Sequence, residues 1–400
     1  MLKSDESGAD VVVVGGGVAG LSAARAIARR GARVVVVENN CDGAASRAAA
    51  GMLAPQCEAD RDDEMFKLLC ASRDMYADFA GALLEETGLD IELDRTGTLY
   101  LALAEEDEDE MERRFEWQTR AGLEVERLSA EEARRLEPQI SNRVRAALSF
   151  PRDWQVENRL LVKALSASVE RHGARLLTET EARGVRVVAG RAAGVDTSRG
   201  FLSAGAVVLA AGARTCRVPL LVSETRDEPA REDTGAHPTV EPVRGQMLCL
   251  RQPRAATPFV RHVVYSPRAY IVPRRDGRLL AGSTSERAGF DSSVTAGGLR
   301  SIASRAAEIA PRVESLGLTD SWAGLRPRTA DGRPLIGESC EVRNLFYATG
   351  YYRNGILLAP VTGEIVAGLV AGGTTVWPPQ ALKDFSPARY TRALAGSRGN

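Results

Sequence analysis

The stretch that most restricts what this chain can fold into is residues 11–38, VVVVGGGVAGLSAARAIARRGARVVVVE. Four consecutive valines fit a strand buried on both faces, as in a parallel sheet. Gly15, Gly17 and Gly20 follow with G-x-G-x-x-G spacing. Residues 21–30 read as a helix closed by Gly31, and residues 34–37 as a second buried strand that ends at Glu38. In such a strand–turn–helix–strand unit Gly15 allows the tight turn. Gly17 lets a pyrophosphate approach the backbone, and Gly20 lets the helix pack closely on the strand. The helix start then offers N–H groups and a positive dipole end to phosphates. Glu38 can accept hydrogen bonds from the hydroxyls of an unphosphorylated ribose. On this stretch alone NAD and FAD fit equally well.

Composition narrows the class. At 400 residues the chain is too long for one ordinary core, so two domains are expected. Its net charge of −1 gives no reason to expect nucleic acid or a membrane surface as partner. No apolar run reaches the length of a membrane span, and residues 1–10 are too polar for a signal peptide. The six cysteines are scattered without a CxxC pair, which fits a reducing, cytoplasmic setting. With only three histidines, no metal centre is expected.

Further along, residues 39–56 are rich in small side chains, as suits a loop pressed against a large flat ligand. Residues 206–213 read as a buried strand running into Ala210, Ala211, Gly212 and Ala213, again suited to close ligand contact. Residues 222–242 are polar and proline-containing, and predict a mobile insertion. Residues 319–336 are dense in turn residues. A second glycine-rich turn, Gly350-Tyr351-Tyr352-Arg353-Asn354-Gly355-Ile356-Leu357, follows a short apolar strand and leads into a helix predicted over 356–371. Such a helix start stabilises negative charge on the edge of a reduced ring. The alternative is a plain final strand–helix unit. The second turn and the small-residue loop together favour FAD over NAD.

With both turns in view, the chain resembles the D-amino-acid oxidase superfamily of flavoproteins, and within it the glycine oxidases of thiamine biosynthesis. The matching stretches are the opening unit, RAAAGMLAPQ, YIVPRRDGRLLAGST, SWAGLRPRTADGRPLIG and GYYRNGILLAPVTGE, in family order along nearly the whole chain. The fold implied is α/β: a discontinuous Rossmann-like FAD-binding domain (residues 9–80, 145–215 and 320–373) interleaved with an α+β substrate domain (81–144 and 216–319). The latter would have a mainly antiparallel sheet. Residues 374–400 would form a flexible tail.

The resemblance also implies roles. FAD, held non-covalently because no cysteine neighbours residues 325–328, would contact Gly15, Gly17, Val18, Ala19 and Gly20, with Glu38 and Asn39 at the adenosine ribose. Ala45, Ser46, Ala50, Gly51 and Met52 would line the pyrophosphate and flavin. Val185 would offer its backbone to the adenine, and residues 350–357 would wrap the flavin pyrimidine. Arg326 would bind the substrate carboxylate, joined by Arg353 and Tyr270. A guanidinium suits that task because its rigid fork matches a carboxylate. An internal salt bridge is the alternative for Arg326, and ordinary strand packing for Tyr270. No acid–base residue is required, since hydride transfer is served by positioning and water exclusion. The implied activity is oxidation of glycine and small amines such as sarcosine by O2, in the cytoplasm, by a homo-oligomer that is tetrameric by resemblance. Two rivals are a D-amino-acid dehydrogenase with another acceptor and a flavin-binding subunit of a hetero-oligomeric amine oxidase. The sequence departs from the family at Tyr351 and Arg268, where relatives usually carry histidine.

Overall fold

The computed structural model describes residues 8–225, 228–233, 237–251, 258–373 and 375–390. β1 (Ala9–Val14) is the central strand of the parallel part of a ten-stranded sheet. It is flanked in parallel by β2 (Val34–Val37) and by the strand Gly200–Leu209. Arg175–Leu177 extends the parallel set beyond β2, and Leu345–Thr349 extends it on the other side. Both faces of β1 are covered, so its valines need no alternation with polar residues. Between β1 and β2 runs α1 (Val18–Ala28), buried along its whole length against the helices Asn158–Arg171 and Ala359–Val370. Its one charged side chain, Arg25, is satisfied by Glu86 at 2.5 Å and Ser168 at 2.9 Å.

The second sheet has eight strands in the order Gly317–Thr329, Val240–Arg251, Arg278–Gly282, Tyr270–Pro273, Val263–Tyr265, Thr98–Ala102, Ala146–Phe150 and Glu126–Ser129. All neighbours are antiparallel except Val263–Tyr265 with Thr98–Ala102. The helix Ala296–Ile309 covers one face of it. The architecture is the interleaved α/β arrangement that the sequence implied, with a mainly antiparallel second sheet.

Several boundaries differ from expectation. Ala146–Phe150 and Gly317–Thr329 belong to the antiparallel sheet, while Leu220–Ser223 and Arg231–Asp233 join the ten-stranded one. Thus the described parts of the presumed insertion at 222–242 include sheet strands; residues 226–227 and 234–236 lie outside the described residues. The turn-rich segment at 319–336 is mostly one long strand, paired with Val240–Arg251 along its length. Pro327 falls directly opposite Pro242, so both strands lack their ladder N–H at the same rung. The final helix begins at Ala359, three residues later than its sequence pattern. Pro360 has no N–H to offer the Ile356 carbonyl, which accepts the Tyr76 hydroxyl instead. Part of the presumed flexible tail is fixed. Phe385 is fully buried and its carbonyl accepts the Ile336 N–H at 2.9 Å, while Arg389 pairs with Asp331 at 2.8 Å. Residues 391–400 lie outside the described residues.

Candidate functional site

A cavity of about 430 Å³ runs from the first glycine-rich turn to the antiparallel sheet, a size typical of small-molecule and cofactor sites. It starts where β1 ends. Gly15 has φ +115°, and a Cβ there would lie 2.4 Å from the Ala210 carbonyl, so only glycine fits. The first N–H groups of α1 have no partner within the helix. Ser46 Oγ takes that of Val18 at 3.0 Å, and Ala19 lines the cavity beside it. Glu38 accepts the N–H of Gly16 and, at 2.8 Å, that of Asn40. Its carboxylate therefore shapes the turn as well as lining the cavity. The residues present fit a dinucleotide: a glycine cradle, a helix start and an acid at the end of the second strand.

Most of the sequence-assigned residues line this cavity: Gly15, Gly17, Val18, Ala19, Glu38, Asn39, Ala45, Ser46, Ala50, Gly51, Met52 and the whole of 351–357. Three do not. Gly20 and Gly350 act from behind the wall. A Cβ on Gly20 would meet the Gly15 carbonyl at 2.0 Å, and one on Gly350 would meet Thr329 Cγ2 at 2.6 Å. Val185 is a correction. It is fully buried in the strand Ala182–Val188, and its N–H is already given to the Pro219 carbonyl at 2.8 Å. The cavity instead touches Thr180, Glu181 and Ala182, at the start of that strand. The sequence hid this because position along a strand, not residue type, decides which backbone groups are unpaired.

The second glycine-rich turn is pinned from outside. Ser72 donates to the Leu357 carbonyl at 2.7 Å, and Tyr352 N–H to the Pro327 carbonyl at 2.7 Å. Tyr351 is buried among apolar residues, and that burial pushes its hydroxyl pKa well up. Tyr352 goes the other way: against the cost of burial, Ser285, Arg353 and Arg326 favour its ionised form and lower its pKa.

At the far end lie Arg326, Arg353 and Tyr270. The Arg326 guanidinium is held by Thr284 O at 3.0 Å and Ser283 Oγ at 2.7 Å. Among the described residues no carboxylate lies within ion-pair distance of it, so the internal salt-bridge reading does not apply. Two uncharged acceptors leave its charge available to an anion in the cavity. Arg353 is exposed to the cavity, stacks on Tyr352 at 5.4 Å and has no ion pair among the described residues. Tyr270 stacks on Tyr265, ring centroids 6.5 Å apart, and its hydroxyl reaches Met247 Sδ at 3.3 Å. Arg268 also touches the cavity, but Asp107 at 2.9 Å and Glu308 at 3.4 Å occupy its guanidinium. Trp322 stands just outside, its indole N–H on the Ala48 carbonyl at 2.9 Å.

Sequence reasoning missed Glu58. It ends the short helix Pro55–Glu58, two residues past the matched RAAAGMLAPQ stretch, and lines the cavity with the two arginines. Burial raises its pKa, and Arg353, Arg326 and Arg114 oppose that rise. It carried no signal because an acid after a loop looks like ordinary surface. Among the described residues, Cys41 is the only cysteine on the cavity wall, at the adenosine end, and no group of three or more His, Cys, Asp or Glu is placed to hold a metal.

Comparison with known proteins agrees with this geometry. Glycine oxidase of Geobacillus kaustophilus strain HTA426 is 37% identical over 388 residues, covering 96% of this chain and 97% of the relative. The crystal structure of the glycine oxidase from that species superposes with a TM-score of 0.85, covering 94% of this chain and 98% of the other. The bifunctional protein ThiO/ThiG of Nostoc sp. is 33% identical; the match covers 90% of this chain and 52% of that longer protein. Hydrogen cyanide synthase subunit HcnC of Pseudomonas aeruginosa is 30% identical, covering 95% and 96%. The family profile described as DAO, FAD dependent oxidoreductase, matches residues 10–369, and the chain belongs to this family of FAD-dependent oxidoreductases, as an enzyme of the glycine oxidase type.

Proposed function

We propose that the protein oxidises glycine and small amines such as sarcosine with O2, turning glycine, O2 and water into glyoxylate, ammonia and hydrogen peroxide. The observation that carries this reading is Arg326: a cationic fork held by two neutral oxygens, open to the cavity and, among the described residues, without a carboxylate partner. Bound FAD supplies the acceptor for a hydride from the substrate α-carbon and passes the electrons to O2. The chain's own part is to hold the substrate. Arg326 takes the carboxylate through two parallel N–H donors, with Tyr270 and Arg353 beside it. The Tyr351–Leu357 turn and the Ala50–Met52 segment hold the cofactor against that position. The apolar wall of Met52, Met247 and Tyr265 limits the room for a side chain and excludes water. The hydride leaves from the neutral amine, so a substrate bound as the zwitterion first gives up one ammonium proton, a step that needs no strong base.

The kinship with proteins named ThiO/ThiG supports a place in thiamine biosynthesis, where the imine formed before hydrolysis can be consumed by a thiazole-forming step. A cytoplasmic homo-oligomer, tetrameric by resemblance, completes the reading. The HcnC relationship favours a second reading, a subunit that acts only with a partner chain. Anaerobic mixing of the purified single chain with glycine, sarcosine and D-amino acids tests all of these. Flavin bleaching by glycine, followed by one peroxide per substrate in air, is the expected result. A flavin that glycine never reduces refutes the substrate assignment, and bleaching without peroxide refutes the acceptor.

A further inference from the structure

A small amino acid carries two charges near neutral pH, and Arg326 accounts for one of them. The ammonium also leaves water on binding, and a desolvated cation needs an anionic or strongly polar partner. Three acids line the cavity: Glu38, Glu181 and Glu58. Glu38 is committed to the first glycine-rich turn, and Glu181 is at the adenosine end beside Thr180. Glu58 shares the substrate end with Arg326, Arg353 and Tyr265, each of which feels or exerts its charge.

The backbone under Glu58 is unusually well fastened. Asp153, fully buried, accepts the N–H of Gln56 at 3.2 Å and of Cys57 at 2.6 Å. Arg114 donates to the Ala59 carbonyl and Gln118 to the Gln56 carbonyl at 2.7 Å. The side chain is not fastened: its carboxylate has no hydrogen bond or ion pair among the described residues, although two cavity arginines are near enough to act on its charge. A fixed backbone carrying an uncommitted carboxylate into a cavity is the arrangement a ligand cation requires.

We propose that Glu58 binds the substrate's ammonium group, as the counterpart of Arg326 on the carboxylate, and so makes the site select amino acids over plain carboxylates. This rests on the proposed function and names what that site recognises. Glu58 and Arg326 then grip the two ends of one small zwitterion, which fixes the α-carbon between them. The same negative charge disfavours acetate, which has a carboxylate for Arg326 and nothing for Glu58.

The test compares glycine with acetate, as a competitor, on the FAD-loaded wild type and Glu58→Gln. The KM for glycine should rise about tenfold to a hundredfold in the variant, the range for one charge-assisted hydrogen bond. The inhibition constant for acetate should stay equal or fall. A merely structural role would weaken both ligands together; that result, or no change in either, overturns the proposal. Wild type alone gives a second measurement, valid even if the variant does not fold. Glycolate, with a hydroxyl in place of the ammonium, should bind at least tenfold more weakly than glycine under anaerobic conditions. Equal affinity overturns the proposal. If glycine does not reduce the flavin, the substrate assignment fails separately. The amino acid that does reduce it then takes glycine's place, with its 2-hydroxy analogue replacing glycolate.

Discussion

Replacing Arg326 by alanine should separate substrate binding from folding. The guanidinium spends one N–H on Thr284 O at 3.0 Å and one on Ser283 Oγ at 2.7 Å, and lies flat over Gly245. Three N–H donors remain for a ligand. A bidentate grip on a carboxylate is worth two charge-assisted hydrogen bonds, about 1.5–3 kcal/mol each when deletion leaves the partner unpaired. Allowing for water that fills the gap, we expect a loss of about 3–5 kcal/mol, or about two to four decades in kcat/KM for glycine. Arg326→Lys keeps the charge but not the fork, and should fall between wild type and alanine. The lost bonds to Thr284 and Ser283 have a charged donor but uncharged, partly solvated acceptors, and should cost about 1.5 kcal/mol each, the low end for such pairs. FAD content should therefore hold, and Tm should move by only a few degrees. The assay is anaerobic flavin reduction titrated with glycine, alongside a carboxylate-free amine such as methylamine. Rates with the amine should be nearly equal in all three proteins. An alanine variant that keeps the glycine affinity of wild type, or one that loses glycine and methylamine reactivity alike, refutes the carboxylate role.

Glu38→Ala should weaken FAD binding about tenfold or more in titrations of the FAD-free protein, through lost contacts to the first turn and the loss of the proposed ribose contact, while leaving the substrate KM of the loaded enzyme unchanged. Gly245→Ala places a Cβ within 2.2 Å of Arg326 Nη1, so it should raise the glycine KM at least tenfold with Arg326 still present; an unchanged KM would show that the guanidinium has room to move. Asp153 gives a pH signature. Burial lifts its carboxyl from 3.8 to about 7, against the pull of the Cys57 N–H and Arg73. The folded chain thus holds a proton that the unfolded chain has lost, so this stabilisation is full below about pH 4 and disappears as pH rises through 7. Asp153→Asn should flatten that part of the stability curve in thermal melts; an unaltered slope would assign it elsewhere.

The parts of the molecule that could be read from the sequence are those whose determinants are contiguous. Residues 11–38 carry their whole instruction locally: buried strand, tight turn, buried helix, second strand. The second turn at 350–357 is similar. Where residues act across the chain, local reading failed for identifiable reasons. The segment at 317–329 looks like a loop because its glycines, proline and polar residues have poor strand propensity. It is a strand because Val240–Arg251 lies beside it, and the paired prolines 242 and 327 show that this pairing is specific. The helix Ala359–Val370 starts late because Pro360 has no N–H for the Ile356 carbonyl, which accepts the Tyr76 hydroxyl and the Ala359 N–H. Glu58 was silent because its meaning lies in Asp153, Arg114 and the two cavity arginines, none of them near it in sequence.

The proposed substrate end also explains how an antiparallel sheet, usually a packing surface, can line a cavity here. Its strands Val240–Arg251 and Gly317–Thr329 place Gly245 directly opposite Gly324, and Met247 on the first faces Gly282 on Arg278–Gly282. Each of these glycines clears a volume that something functional fills. Over Gly245 lies the Arg326 guanidinium, 2.2 Å from where a Cβ would be. Beside Gly282 is the Tyr270 hydroxyl, at 2.6 Å from its Cβ position. Against Gly324 packs Ala48 of the small-residue loop, at 2.5 Å, which brings that loop and the cofactor position behind it onto the sheet. A sheet with side chains at these three points would hold the two domains apart and push the arginine off its seat. Glycine weakens a strand interior, by roughly 0.5–1 kcal/mol per residue. Three on adjacent strands are tolerated because the long pairing of Val240–Arg251 with Gly317–Thr329 supplies the register that the missing side chains cannot. The binding site is thus a property of the sheet's cross-strand register, and the positions of its charges follow from it.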